Sequence, residues 1–156
     1  MALLTAIALT IFLAEAQLPN PIPIPGIKLG LANIITVYAM FVLGPADTLM
    51  ILLARVFLGS VFSGQMMTFF YSLAGGLLCY AAMLFLRHVL TQRQIWACSA
   101  VGGACHNIGQ LLAAILIMRT PALSVYAFWL IPAGLAAGLF TGLCTQFLLA
   151  RLNRTN

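Results

Sequence analysis

The sequence predicts an all-α integral membrane protein, folded as a single bundle of about six transmembrane helices. Apolar residues make up 63% of the 156-residue chain and charged residues only 6%, whereas soluble domains are typically about 25% charged. This small number of charged residues cannot cover the surface of a water-soluble domain. Lipid therefore has to solvate most of the chain. The alternation of β-barrel strands is absent. No linker divides the chain, so we expect one transmembrane domain over residues 1–156.

Charge, proline and glycine divide the chain into six apolar stretches. The breaks are the proline-rich run at 19–26, Gly44-Pro45, Ser63-Gly64, the polar residues 87–93 and Arg119-Thr120-Pro121. The predicted helices therefore cover about residues 1–18, 27–43, 46–62, 66–86, 94–118 and 122–150. A span needs about 20 residues, which makes the second and third helices short.

The first predicted helix ends at Ala14-Glu15-Ala16, a tripeptide with the shape of a signal-peptidase site. A signal peptide also requires a basic region before its apolar run, and only Met1 precedes the run in this sequence. We therefore expect the first helix to be retained in the bundle.

The distribution of Lys and Arg predicts the orientation of the bundle. With six spans, both termini share one side of the membrane with the second–third and fourth–fifth loops. That side carries Arg87, Arg93, Arg151 and Arg154, and the opposite side carries Lys28 and Arg119. Because basic residues favour the cytoplasm, we expect a multi-pass protein of the cell membrane with both termini cytoplasmic. The proline-rich loop would face outward.

Several polar side chains lie within or beside the apolar stretches, where a polar group is costly unless it has a function or a partner. His106, Asn107 and Gln110 share one face of the fifth helix because they are three or four residues apart. With polar groups of other helices they predict a binding pocket in the outer half of the bundle, with a basic bias that suits an anionic or phosphorylated ligand. The candidate residues are Glu15, Lys28, Asn33, Arg55, His106, Asn107 and Gln110.

The same residues allow a structural alternative, in which they only tie helices together. Arg55 would then pair with Glu15 or Asp47, and the amides would bond between helices. Asp47 lies in the first turn of the third helix, where a carboxylate complements the helix dipole.

Small residues, aromatic residues and cysteines predict packing rather than chemistry. Three groups of glycines permit close helix approach: Gly75-Gly76, Gly102-Gly103, and Gly134 with Gly138 and Gly142. Aromatic residues near the segment ends predict an interfacial belt, made of Phe69, Phe70, Tyr71, Tyr126, Phe128 and Trp129. The four cysteines lie in apolar runs without metal-ligand spacing, so we expect them to fill space.

No residue pattern predicts an enzyme. The sequence has no Gly-rich phosphate loop and no HExxH, and its two acidic residues are too few for the aspartate-rich Mg²⁺ site of a prenyltransferase. The basic residues are scattered singly, which does not suggest a nucleic-acid partner. We therefore expect no catalytic residue, no cofactor and no metal, and any active transport would need an external motor.

Four sequence blocks carry a family resemblance: PIPIPGIKLGLANI at 21–34, LGPADTLMILLARVFLGS at 43–60, FFYSLAGGLL at 69–78 and GGACHNIGQLLAA at 102–114. In this order they resemble the Gx transporter family, often labelled heptaprenyl diphosphate synthase component I, over about residues 10–145. That family is similar to the substrate-binding S-components of energy-coupling factor (ECF) transporters. The resemblance implies an S-component-like fold of six helices with an outward-facing pocket and cytoplasmic termini.

The resemblance also implies partners and a ligand. S-components work with a membrane coupling subunit and two ATPases, which they meet through small residues of the first helix, here Ala2 and Ala6. The implied ligand is small, anionic and cofactor- or vitamin-like, with flavins and prenyl diphosphates as candidates. Two alternatives stay open. One is a non-catalytic membrane partner of polyprenyl diphosphate or quinone synthesis, and the other is a membrane anchor whose polar network is only structural.

Overall fold

The computed structural model describes residues 2–17, 30–64, 66–90 and 94–152. Over these residues the fold is all-helical, as the composition predicts. A 3-10 helix, Pro121–Tyr126, leads into the last α-helix. The α-helices are α1 Ala2–Gln17, α2 Asn33–Val42, α3 Pro45–Ser63, α4 Met66–Leu86, α5 Ile95–Met118 and α6 Ala127–Leu152.

Four of these segments are long and apolar enough to cross a membrane: α3, α4, α5 and the continuous segment Pro121–Leu152. The helices α1 and α2 are apolar but shorter, with 16 and 10 residues. At 1.5 Å per residue, the α2 helix spans about 15 Å, half of a hydrocarbon core roughly 30 Å thick. The described helices therefore support a membrane protein with four full-length spans and two shorter apolar helices.

The second helix is shorter than the sequence predicts. The prediction begins it at residue 27, whereas α2 begins at Asn33. The chain at Gly30 has φ +81°, a left-handed conformation outside the helical range, and Leu31 and Ala32 form a turn. Residues 27–29 lie outside the described residues.

The sixth helix also begins later than predicted. The sequence places its start near residue 122, but Pro121–Tyr126 forms the tighter 3-10 helix and the α-helix begins at Ala127. Pro132 lies inside α6, near enough to the start of the helix that few backbone hydrogen bonds are lost.

Glycines bring α5 close to both of its neighbours, as the sequence predicts. A Cβ atom built on Gly138 of α6 would lie 2.8 Å from the Cα atom of Ala100. A Cβ atom on Gly109 of α5 would lie 2.8 Å from the Cα atom of Gly75 on α4. Real Cβ atoms do not approach other atoms this closely. These helix pairs can therefore pack at this distance only because glycine has no side chain.

The two ends of the bundle differ in the chemistry of their buried side chains. Where α2 and α4 end and α5 begins, the buried side chains form an apolar cluster of Val37, Met40, Cys79, Met83, Ile95 and Cys98. The cysteines at 79 and 98 are unpaired and buried, which fits the prediction that they fill space. The opposite half holds the polar residues described below.

The prediction of an interfacial aromatic belt is wrong for Tyr71. Phe70, Phe128 and Trp129 are exposed by 53%, 76% and 68%, which places them on the surface that lipid contacts. Tyr71 is only 1% exposed, so it belongs to the interior of the bundle and not to an interfacial belt.

We predict that Gly138→Leu separates α5 from α6 and lowers the free energy of unfolding by about 2 kcal/mol or more, because the larger side chain overpacks the contact. The measurement is thermal unfolding of the detergent-solubilised protein. Ala136→Leu is the matched control, since Ala136 is exposed on the same helix and its substitution should change stability little. Equal stability of the two variants would contradict the close packing at Gly138.

Candidate functional site

The fold collects most of the predicted site residues in one half of the bundle. Consecutive helices from α3 to α6 run antiparallel, so the second half of α5 faces the first halves of α4 and α6. The end of α1 and the start of α2 meet the same region, which the contacts below establish. Six of the seven candidates lie there, each at most 5% exposed: Glu15, Asn33, Arg55, His106, Asn107 and Gln110. Lys28 lies outside the described residues.

Arg55 bonds an amide rather than a carboxylate. Its Nη2 atom donates to Oδ1 of Asn33 over 2.7 Å, and within the described ranges no carboxylate forms an ion pair with it. Asp47 lies two turns earlier on the same helix, about 12 Å along the axis, which is too far for a direct contact. Arg55 therefore ties α3 to α2 through Asn33. Of its two suggested acidic partners, Asp47 is too distant, whereas the charge of Glu15 still attracts the guanidinium.

Glu15 instead holds the turn that precedes α2. Its Oε1 atom accepts a hydrogen bond from the backbone N–H of Gly30, and the N–H of Asn33 closes the turn by donating to the carbonyl of Gly30 over 2.9 Å. A Cβ atom at position 30 would lie 2.9 Å from Nδ2 of Asn33 and 3.0 Å from Cδ2 of His106. Both this crowding and the positive φ require glycine. The Gly30–Asn33 turn thus lies between α1, α3 and α5.

Two small cavities adjoin this turn. The first has a volume of about 10 Å³ and is lined by residues that include Glu15, Arg55, Ser72, His106 and Gln110. The second has a similar volume and is lined by residues that include Asn33, Cys79, Ser99 and Thr141. Gly30 lines both cavities. A cavity of this size holds about one water molecule, so in this structure the site is nearly filled by the protein itself.

Several buried polar atoms have no hydrogen-bond partner in the part of the chain that is described. Those of residues that line the first cavity are Arg55 Nε, His106 Nδ1 and both amide atoms of Gln110. Others are Thr36 Oγ1, Tyr71 Oη and Asn107 Oδ1. An unsatisfied buried group costs about 1–3 kcal/mol, and most buried polar groups in folded proteins have partners. This concentration of unpaired groups distinguishes the region from an ordinary interhelical network.

Part of the set nonetheless has a structural role. The Nδ2 atom of Asn107 donates to the backbone carbonyl of Leu130 over 2.7 Å, which ties α5 to the first turn of α6. A side chain anchored in this way presents its Oδ1 atom in a fixed direction. Asn107 therefore both supports the bundle and retains one unused acceptor.

The hydroxyl groups on α4 are site residues that the sequence did not predict. Tyr71 and Ser72 are 1% and 3% exposed, and Ser72 lines the first cavity. A signal was available, since Thr68, Tyr71, Ser72 and Gly75 recur at helical spacing on one face. The apolar neighbours Phe69 and Phe70 obscured that face.

The charges of the site are more balanced than the basic bias expected from the sequence. Arg55 and Glu15 line the same cavity, so one guanidinium and one carboxylate face it together. The remaining polar groups there are neutral amide, hydroxyl and imidazole groups. The described part of the site can therefore bind a ligand that offers both donors and acceptors.

We predict that Gln110→Met raises the free energy of unfolding of the ligand-free protein by about 1–3 kcal/mol, because it removes two unpaired buried atoms and keeps a similar volume. Ser99→Ala is the matched control. It removes the 3.1 Å hydrogen bond between Ser99 and Thr141 and should lower stability by about 1 kcal/mol. Thermal unfolding of the two purified variants is the measurement, and a destabilised Gln110→Met protein would contradict the prediction.

A comparison with known families assigns the chain to one of them. The family model described as heptaprenyl diphosphate synthase component I matches residues 4–148, which extend from α1 into the last turns of α6. No curated protein and no solved structure matches the chain. Because the match covers nearly the whole sequence, the chain belongs to the heptaprenyl diphosphate synthase component I family.

Proposed function

We propose that this protein is the substrate-binding membrane subunit of an ECF-type transporter, similar to an S-component. In this proposal it captures a small cofactor- or vitamin-like molecule, of the flavin or prenyl diphosphate class, on the outer side of the cell membrane. Both termini are cytoplasmic, so the polar half of the bundle faces outward. The observation that carries the proposal is the group of buried polar atoms of Arg55, His106 and Gln110 at the first cavity, which have no partner among the described residues.

The physical argument concerns free energy. A membrane bundle that needs only stability gains nothing from a fully buried Gln110 whose two amide atoms find no partner within the described ranges. Such atoms persist where a ligand completes their hydrogen bonds, and local violations of stability rules are expected at functional sites. A purely structural network would pair them with one another.

The size of the cavity adds a requirement. A space of about 10 Å³ holds one water molecule and no organic cofactor. Ligand entry therefore requires the elements that meet at Gly30 to separate. The contacts that have to break are the bonds of Glu15 to Gly30 and of Arg55 to Asn33.

The family description favours a second candidate function, a non-catalytic membrane partner of polyprenyl diphosphate or quinone synthesis. We propose that the chain is not itself an enzyme in either case. Its two acidic residues lie in opposite halves of the bundle, since Asp47 is at the start of α3 and Glu15 is beside the first cavity. They cannot hold one Mg²⁺ together, as diphosphate chemistry requires. Co-purification separates the candidates, because a coupling subunit with ATPases supports transport and a soluble prenyltransferase supports synthesis.

We predict that Arg55→Met removes the ligand that co-purifies with the gently solubilised protein, or weakens its binding tenfold or more, because a hydrogen bond to a charged group contributes about 1.5–3 kcal/mol. Native mass spectrometry measures the bound ligand, and thermal unfolding checks the fold. Arg119→Met is the matched control, since Arg119 is exposed at the end of α5. A folded Arg55→Met protein that retains its ligand would contradict the assignment.

We also predict that Ala6→Leu weakens the complex with a coupling subunit and its two ATPases. Ala2 and Ala6 are exposed on α1, so a larger side chain at position 6 would hinder close helix approach without disturbing the bundle. Ala136→Leu serves as the control on the exposed face of α6. Unchanged recovery of the partner subunits with Ala6→Leu would exclude this face of α1 as the contact.

A further inference from the structure

The Gly30–Asn33 turn occupies the centre of the proposed site. It provides one hydrogen-bond donor and one acceptor to the charged groups there. The backbone N–H of Gly30 donates to the carboxylate of Glu15, and the side-chain carbonyl of Asn33 accepts from the guanidinium of Arg55 over 2.7 Å. The donor belongs to the backbone amide of Gly30, and the acceptor belongs to the side-chain amide of Asn33.

We propose that the ligand replaces this turn and binds through an amide-type edge, in which an N–H group stands beside a C=O group, as in a cyclic imide or lactam. This inference rests on the proposed function and deepens it. The N–H takes the place of Gly30 on Glu15, and the C=O takes the place of Asn33 on Arg55. Of the two ligand classes named above, the flavin ring carries such an edge and a prenyl diphosphate does not.

Gln110 provides independent support. It lines the first cavity and is fully buried, and both its Nε2 donor and its Oε1 acceptor lack partners among the described residues. The edge is already used on Glu15 and Arg55, so Gln110 needs a further acceptor and a further donor. A flavin supplies both, in its second imide carbonyl and its ribityl hydroxyl groups. A prenyl diphosphate offers acceptors alone, so it would satisfy Nε2 and leave Oε1 facing negative oxygens.

The charges around the cavity point the same way. Among the described residues that line it, Arg55 is the cation, and the carboxylate of Glu15 lines it as well. A diphosphate brings two or more negative charges into this buried space, more than the guanidinium of this described part of the site compensates. An amide-type edge is uncharged, so the positive charge of Arg55 and the negative charge of Glu15 continue to offset each other.

The turn also explains how a ring could fit. Gly30 lines both cavities, so its departure would join them into one chamber that extends from α1 and α3 past α5 to α4 and α6. The second cavity adds Cys79, Gly103, Ala137 and Gly138 to its walls. These small side chains suit the flat face of a ring.

The test uses three compounds and the full-length chain in lipid nanodiscs. The compounds are riboflavin, 3-methylriboflavin, in which a methyl group replaces the imide hydrogen, and geranyl diphosphate. Quenching of flavin fluorescence gives the affinities, and competition with bound riboflavin, together with native mass spectrometry, reports geranyl diphosphate. We expect riboflavin to bind and the methyl derivative to bind at least tenfold more weakly. Gln110→Met should weaken riboflavin binding by a similar factor, while Arg119→Met should leave it unchanged.

Each other outcome is decisive. Equal affinity for riboflavin and its methyl derivative would overturn the inference, because the N–H would then have no role. Binding of geranyl diphosphate alone, lost in Arg55→Met, would overturn the amide-type edge and leave the transport function standing. If neither riboflavin nor geranyl diphosphate binds, the inference is also overturned. The transport function would then depend on the molecule that co-purifies with the protein.

Discussion

The close packing of α5 against α4 and α6 is the constraint on which the rest of the structure depends. Gly109 lies against Gly75 on one side, and Gly138 lies against Ala100 on the other. In lipid, helices associate through close packing and hydrogen bonds rather than through exclusion of water. These glycine contacts fix the rotation of α5, and thereby hold His106, Asn107 and Gln110 toward the interior.

This arrangement divides the bundle into two halves with different properties. The half with Val37, Met40 and Met83 is apolar and well packed, so it closes one end of the interior without using polar groups. The other half carries the buried guanidinium, carboxylate and amides. The polar groups are thus confined to one half of the bundle, and the apolar cluster closes the other half.

The sequence was sufficient to predict an all-helical membrane protein and to select six buried polar residues that lie in one half of the bundle. Composition indicated lipid as the solvent, and polar residues in apolar stretches stood out because they are costly there. The spacing also predicted the close packing at Gly75 and Gly138, but not the part of Gly109. The partner of Arg55 could not be predicted, because opposite charge favours Glu15 whereas the tertiary structure places Asn33 at the guanidinium. The burial of Tyr71 was missed because its aromatic neighbours are typical of an interface. The late start of α2 depends on the conformation of Gly30, which spacing alone does not reveal.

The Gly30–Asn33 turn has a further consequence, which concerns the energetics of ligand affinity. In the proposed binding mode, this turn acts as an intramolecular competitor of the ligand, always present at a fixed effective concentration. The observed dissociation constant then equals the intrinsic one divided by the fraction of molecules whose turn has withdrawn. Each 1.4 kcal/mol by which the turn favours the closed form weakens observed binding about tenfold. Substitutions in the turn could therefore tune affinity over a wide range without altering any group that touches the ligand.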